Sequence, residues 1–282
     1  MTSNSKLLTF LKHFVLLTGL VVVMLPIWVA FVASTHPGEA FFSGELSLWP
    51  GNQLIQNYSL ILGEGMKMAS TPPLWLMLMN SLIMAMGIAI GKIAISILSA
   101  FAIVYFQFRF RMTAFWLIFL TLMLPVEVRI LPTYEITANL GLLNSYPGLI
   151  LPLIASATAT FLFRQVFMTI PDELTEAARI DGAGPMKFFF DILLPMSRTN
   201  IAALFVILFI YGWNQYLWPL IISTDDSYAT IVMGIKRMVD VADSIPQWHM
   251  VMSTAILAMV PPLIVVISMQ KLFVKGLTET DK

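Results

Sequence analysis

The chain has 282 residues, of which 58% are hydrophobic and 11% charged, with a mean hydropathy of +0.84. A soluble domain carries about 25% charged residues, so too few polar groups are present to cover this chain in water, and lipid is the expected solvent. The formal net charge is zero, which speaks against a nucleic-acid partner, and the absence of cysteine excludes disulfides, thiol catalysis and thiolate metal sites.

A helix needs roughly 20 apolar residues to cross a hydrocarbon core of about 30 Å. Six such segments follow in chain order. The first runs from about Phe14 to Ala33, the second from about Trp75 to Tyr105, and the third from about Thr113 to Ile130, interrupted by Pro125. The fourth covers about Leu149 to Met168, the fifth about Asn200 to Ile222, and the sixth about Val251 to Met269. Lys6 and Lys12 ahead of the first segment resemble the start of a secretory signal. The apolar run is longer than the usual 7–15 residues of such a signal, so an uncleaved first helix is expected. These segments divide the chain into residues 1–74, the first helix and an outer loop, residues 75–272, the transmembrane domain, and a tail over 273–282. The expected fold class is an all-α membrane protein of six transmembrane helices.

Basic residues set the orientation. With both termini inside, the cytoplasmic side holds Lys6, Lys12, Arg109, Arg111, Arg164, Arg179, Lys187, Arg198, Lys271, Lys275 and Lys282. The outer side holds Lys67, Arg129, Lys236 and Arg237. Lys92 remains inside the second segment. Such a lysine either faces a bundle interior or watery cavity or snorkels toward the interface.

Between the fourth and fifth segments lies a polar island over about residues 169–198. Pro171 suits the first turn of a helix, where its missing N–H has no partner in any case. Asp172 and Glu173 then face the positive end of the helix dipole. Leu174, Ala177, Ala178 and Asp181 fall on one face, and the two alanines allow another surface to approach closely. Gly182 stands where a left-handed residue closes a helix. Pro185 opens a second short helix with apolar Phe188, Phe189, Ile192 and Leu193, an i, i+4 pair of Lys187 and Asp191, and Pro195 as its end.

By itself this island has the composition of an ordinary amphipathic interfacial loop. The fixed spacing of Glu176-Ala177-Ala178, Asp181-Gly182-Ala183, Phe189, Ile192 and Leu194-Pro195 resembles the EAA loop of binding-protein-dependent ABC importers. The resemblance is to the permeases of the carbohydrate-uptake group and covers nearly the whole chain. Within that group it is strongest to permeases for sn-glycerol-3-phosphate, through Met123-Leu124-Pro125-Val126-Glu127-Val128-Arg129, residues 155–165, and Tyr211-Gly212-Trp213-Asn214-Gln215-Tyr216-Leu217-Trp218-Pro219.

The resemblance implies a type I importer fold in a bacterial inner membrane. It also implies a homologous second permease, two ATPase subunits, a periplasmic substrate-binding protein and a small anionic cargo, possibly joined by phosphodiesters of glycerol. The chain itself is then no enzyme, with ATP bound by the ATPase subunits. Glu176 to Gly182 becomes the first arm of the coupling element, Gly182 the turn fixing its angle, and Pro185 to Pro195 the second arm.

No nucleotide site is visible. Gly87-Ile88-Ala89-Ile90-Gly91-Lys92-Ile93 has one spacer too few for a phosphate loop and Ile93 where Ser or Thr is needed. It is better taken as a small-xxx-small packing face. His13, His36 and His249 form no helical metal pair, so no metal and no cofactor are expected.

For an anionic cargo, the pathway candidates are Asn80, Arg129, Trp213, Asn214 and Gln215, with Ser81 beside Asn80. Interhelical bonding is the alternative use of the amides, and an ion pair with Glu127 the alternative for Arg129. Many sugar-importing relatives carry an acid at the position of Gln215, and a neutral group there avoids repelling a phosphate. Other readings keep the machine with an oligosaccharide cargo such as a maltose-like sugar, or replace it with an ion-coupled transporter or a membrane assembly protein. An ion-coupled transporter calls for paired ionisable residues at the midplane and an internal repeat. Only Lys92 stands there, and no repeat is evident.

Overall fold

The computed structural model describes residues 3–43, 47–121, 126–241 and 245–278. Met123, Leu124, Pro125 and Lys282 lie outside the described residues, as do the side chains of Lys6, Glu127 and Lys275. Among the described residues the regular structure is helical, apart from one isolated bridge between Met66 and Thr71. Helix α1 (Ser3–Ser34) is followed by α2 (Ala40–Ser43) and α3 (Leu54–Gly63), then by α4 (Leu74–Tyr105), α5 (Arg111–Leu120) and α6 (Val126–Asn139). Helices α7 (Tyr146–Ile150) and α8 (Ala157–Met168) precede the island, which forms α9 (Asp172–Ile180), α10 (Pro185–Phe188) and α11 (Leu194–Met196). The chain continues through α12 (Arg198–Trp213), α13 (Leu217–Ile222), α14 (Ile231–Val239) and α15 (Trp248–Thr278).

Among the described residues three stretches are long and apolar enough to cross a bilayer: Leu7–Ser34, Leu74–Tyr105 and Trp248–Leu272. They match the first, second and sixth expected segments. The fourth and fifth are broken. The fourth splits into Tyr146–Leu153 and Ala157–Met168, bent by 52°. Ser156 makes the break, taking extended backbone and capping α8 by accepting the Ala159 N–H at 3.3 Å. The fifth stops at Trp213 and restarts at Leu217. Counting the two pieces of the fourth, and the pair of Pro185–Met196 with Arg198–Trp213, as one span each gives up to five spans among the described residues. The third expected segment runs across residues outside the described set, and α6 passes through Pro132 to Asn139 rather than ending near Ile130.

The chain divides into two compact units. One comprises Met1–Leu76 with Gly234–Val260, and the other Met77–Met233 with Pro261–Lys282. In the first unit, nearly all of α1 from Leu7 to Leu25 turns its apolar side chains outward, as a helix bathed in hydrocarbon must. Its end is fastened by polar bonds. Asn57 of α3 donates to the carbonyls of Ser34 and His36 at 2.9 and 3.0 Å. Thr35 Oγ1 accepts the Gly51 N–H at 2.7 Å.

In the second unit α4 is the member around which the rest is laid. Its small residues admit close neighbours. A Cβ on Gly87 would strike Ile150, one on Gly91 would strike Ile154, and one on Gly212 of α12 would lie 2.9 Å from the Ala85 Cα. The small-xxx-small expectation for Gly87 and Gly91 therefore holds, with packing as its purpose. Met84 and Ile88 of α4 join Leu149, Trp218 and Ile222 in one buried cluster, and the Trp218 indole N–H donates to the Gly148 carbonyl at 3.1 Å.

Asn80 joins three segments. Its Nδ2 donates to the carbonyls of Ser227 and Ala229 at 2.8 and 2.9 Å, and its Oδ1 accepts the Tyr146 hydroxyl at 2.8 Å. Ser81 Oγ accepts the Ile231 N–H at 2.8 Å. Nearby, Asn144 Oδ1 accepts the backbone N–H groups of Thr224 and Asp225 at 2.7 and 2.9 Å. Replacing Asn80 by Leu would leave two carbonyls and the Tyr146 hydroxyl without these partners. The expected loss is about 1–3 kcal/mol, read as a lowered unfolding midpoint of the purified protein in detergent. An unchanged midpoint would remove Asn80 from this structural role.

Candidate functional site

The island is a braced projection. Helix α9 ends in a Schellman arrangement: the Ala183 N–H donates to the Ala178 carbonyl at 2.9 Å and the Gly182 N–H to the Arg179 carbonyl at 3.0 Å. Gly182 holds φ at +74°, and no heavy atom lies within 4 Å of where its Cβ would stand. Glycine is thus needed for the backbone and not for clearance, since a side chain in this conformation costs roughly 1–2 kcal/mol.

Of the stripe that its two alanines open to another surface, Leu174, Ala177 and Asp181 are exposed; the residues of α9 that pack inward are Ala178, buried, and Thr175, partly so. Inward packing follows the brace beneath: Thr175, Ala178, Ala183 and Phe188 share a cavity of about 360 Å³ with Phe101 and Tyr105 from the end of α4. The outward side carries Glu176, Ala177 and Ile180, the last 86% exposed.

In the second arm Phe188, Phe189 and Leu193 are buried as expected. The run Pro185–Met196 passes through a π-helical turn over Phe189–Leu193, stops one residue after Pro195 and bends by 71° into α12, the end and redirection expected of Pro195. A proline inside an α-helix loses a bond and presses on the carbonyl four residues back. Here the turn is widened, and the Leu194 N–H reaches the Phe189 carbonyl five residues back. The same widening explains why Lys187 and Asp191 make no ion pair. Four residues no longer complete a turn where the helix is π.

Aromatic contacts fix this arm to α4. Phe101 lies 5.0 Å from Phe189 between ring centroids, and Tyr105 lies 5.3 Å from Phe188, edge to face. The Tyr105 hydroxyl donates to the Phe167 carbonyl at the end of α8, at 3.3 Å. Such pairs contribute about 0.5–1.5 kcal/mol each beyond burial. The sequence reading missed Phe101 and Tyr105. Their i, i+4 spacing at the end of the second segment was the available signal.

The five pathway candidates scatter in role. Asn80 is fully buried in the bonding described above, the alternative weighed for it. Trp213 is buried and stacked on Phe209 at 5.9 Å. Asn214 is exposed in the break after α12, and Gln215 turns back to donate to the Tyr211 carbonyl at 3.2 Å. Arg129 is exposed on α6. Lys92 is buried, 8% exposed, with its Nζ 4.0 Å from the centroid of the Tyr211 ring. Outside the helices that cross, Asp225 accepts both the hydroxyl and the N–H of Ser227, which holds its carboxyl below the usual range. Among the described residues no group of His, Asp and Glu could hold a metal ion.

Comparisons with known proteins bear on this arrangement. Residues 92–279 match the family of binding-protein-dependent transport system inner membrane components. The chain is 56% identical over all 282 residues, covering 100% of both chains, to the sn-glycerol-3-phosphate transport system permease protein UgpE of Salmonella typhi. It shares the same identity and coverage with the UgpE of Agrobacterium fabrum (strain C58). Among solved structures it is similar to a bacterial ABC transporter involved in the import of the acidic polysaccharide alginate. That match has a TM-score of 0.81 at 19% identity and covers 96% of this chain and 98% of that one; it shows a shared ABC-permease fold. With a family match over most of its length and full-length relatives at this identity, the chain belongs to the binding-protein-dependent transport permeases.

Proposed function

We propose that this chain is a permease subunit of an ATP-driven importer that carries sn-glycerol-3-phosphate across a bacterial inner membrane. The carrying observation is the full-length 56% identity to sn-glycerol-3-phosphate permeases from two distinct bacteria. Six passes with both termini in the cytoplasm accord with the basic residues, eleven of which then lie inside and four outside. Residues 75–272 form the transmembrane domain. The island is the coupling element, with Glu176, Ala177, Ala178, Asp181, Gly182, Ala183 and Pro195 as its defining residues.

The partners follow from the same reading: a homologous second permease, two ATPase subunits and a periplasmic binding protein. ATP is held by the ATPase subunits, and this chain carries no cofactor of its own. The exposed side of α9 is the part offered to an ATPase groove. Its inward side faces the cavity beside Phe101 and Tyr105, and the second arm packs on those two rings, so a push on the loop is passed through that arm to the end of α4. Arg129, Trp213, Asn214 and Gln215 belong to the substrate pathway in this proposal, with Asn80 supporting it from behind.

Two measurements test it. The complete transporter in proteoliposomes, supplied with its binding protein, takes up sn-glycerol-3-phosphate only with ATP inside the ATPase compartment. Uptake of a maltose-like oligosaccharide in preference would refute the cargo, and uptake driven by an ion gradient alone would refute the machine. Gly182→Ala carries a strain of roughly 1–2 kcal/mol with free space around it, so most of the uptake survives. Gly182→Trp inserts normally but hydrolyses ATP without matching uptake. Wild-type uptake by the tryptophan variant would refute the coupling role of this turn.

A further inference from the structure

A lysine buried in a membrane-crossing helix is costly unless a counter-charge or a ligand compensates it. Lys92 is such a residue, on the longest apolar helix of the second unit. Among the described residues no carboxylate lies within ion-pair distance of its ammonium. What it does touch is the face of Tyr211, at 4.0 Å. A ring face attracts a cation without neutralising it. Arg129 is the cation on the neighbouring helix α6, where it is exposed, and the side chain of Glu127 beside it lies outside the described residues.

The backbone holds this pair in place. Gly91, the neighbour of Lys92, is pressed against Ile154, and Ala85 lies against Gly212 beside Tyr211. Ile130 and Tyr134 of α6 pack on the cluster that includes Met84 and Ile88 of α4, which brings the Arg129 turn of α6 alongside. Gln215, one turn after Tyr211, is occupied with the Tyr211 carbonyl and adds no negative charge. The ammonium therefore does not snorkel; it is kept between α4 and α12 with no carboxylate in reach among the described residues, and an anion is what would satisfy it.

We propose that Lys92 and Arg129 form a subsite for the phosphate monoester of the cargo in transit, with the Tyr211 ring holding the Lys92 ammonium when no anion is bound. The subsite rests on the phosphate-bearing cargo proposed above. A guanidinium suits the phosphate oxygens in a forked geometry, and an ammonium supplies a compact charge. The cargo leaves again because one of the two cations, Arg129, is exposed and competes with water.

The test uses the complete transporter in proteoliposomes, with labelled sn-glycerol-3-phosphate and the loaded binding protein. Lys92→Met removes an uncompensated buried charge and keeps the volume, so the variant is expected in the membrane at the wild-type level. ATP hydrolysis stimulated by the loaded binding protein is unchanged, while uptake per ATP falls on the order of tenfold or more, the scale of a hydrogen bond to a charged group. Lys92→Arg restores most of the uptake, and Arg129→Gln loses a smaller part. Unchanged uptake per ATP in Lys92→Met overturns the subsite. Parallel losses of abundance, hydrolysis and uptake also overturn it, by assigning Lys92 to helix packing. Wild-type transporter that refuses sn-glycerol-3-phosphate but accepts a neutral oligosaccharide sinks the cargo reading instead, and is told apart because it needs no variant.

Discussion

The close approach of backbones along α4 is the constraint on which the second unit depends. Apolar side chains gain little by leaving lipid for one another, so helices in a membrane are held by tight packing and by bonds between polar groups. Helix α4 uses both. Ala85 receives Gly212, and Gly87 and Gly91 receive Ile150 and Ile154. Asn80 near one end binds two carbonyls and a tyrosine hydroxyl, and Phe101 and Tyr105 at the other end carry the island. At 1.5 Å per residue, 32 helical residues span about 48 Å. In the proposed cycle, one rigid member thus joins the region around Tyr146 to the coupling loop.

The island divides its labour between its two sides. Ala178 and Ala183 are small because they close the Schellman turn over the cavity beside Tyr105. Glu176, Ala177 and Ile180 face away and are left to another surface. The π-turn before Pro195 sets the direction in which the second arm enters α12. Residues that give the loop its shape are therefore distinct from those offered to a partner; any side chain at Gly182 strains the turn, and a bulky one also fills the open space around it.

Much of this architecture was legible in the chain. The second segment was placed within one residue, because an unbroken apolar run leaves a helix no other end points. Gly182 was identified from its position after a polar helix, and its positive φ agrees. Spacing names the stripe Leu174, Ala177, Ala178 and Asp181 on α9 but not the surface beneath the helix, and that surface comes from α4, about 70 residues earlier by the numbering of Tyr105 and Thr175. The Lys187–Asp191 pair failed for a related reason: four-residue spacing assumes an α-helix, and the π-turn is a local response to Pro195. Asn80 could not be assigned from sequence, since its partners Ser227 and Ala229 lie 147 and 149 residues away.

The central claim is that the outward side of α9 meets an ATPase in the cytoplasm. The chain has no cysteine, so Ile180→Cys would carry a unique thiol at a fully outward position. The account predicts that this thiol crosslinks to the ATPase subunit in assembled transporter and resists a membrane-impermeant maleimide applied to the outer face. Labelling from outside, or an assembled and active transporter in which the thiol reaches no ATPase, would contradict it.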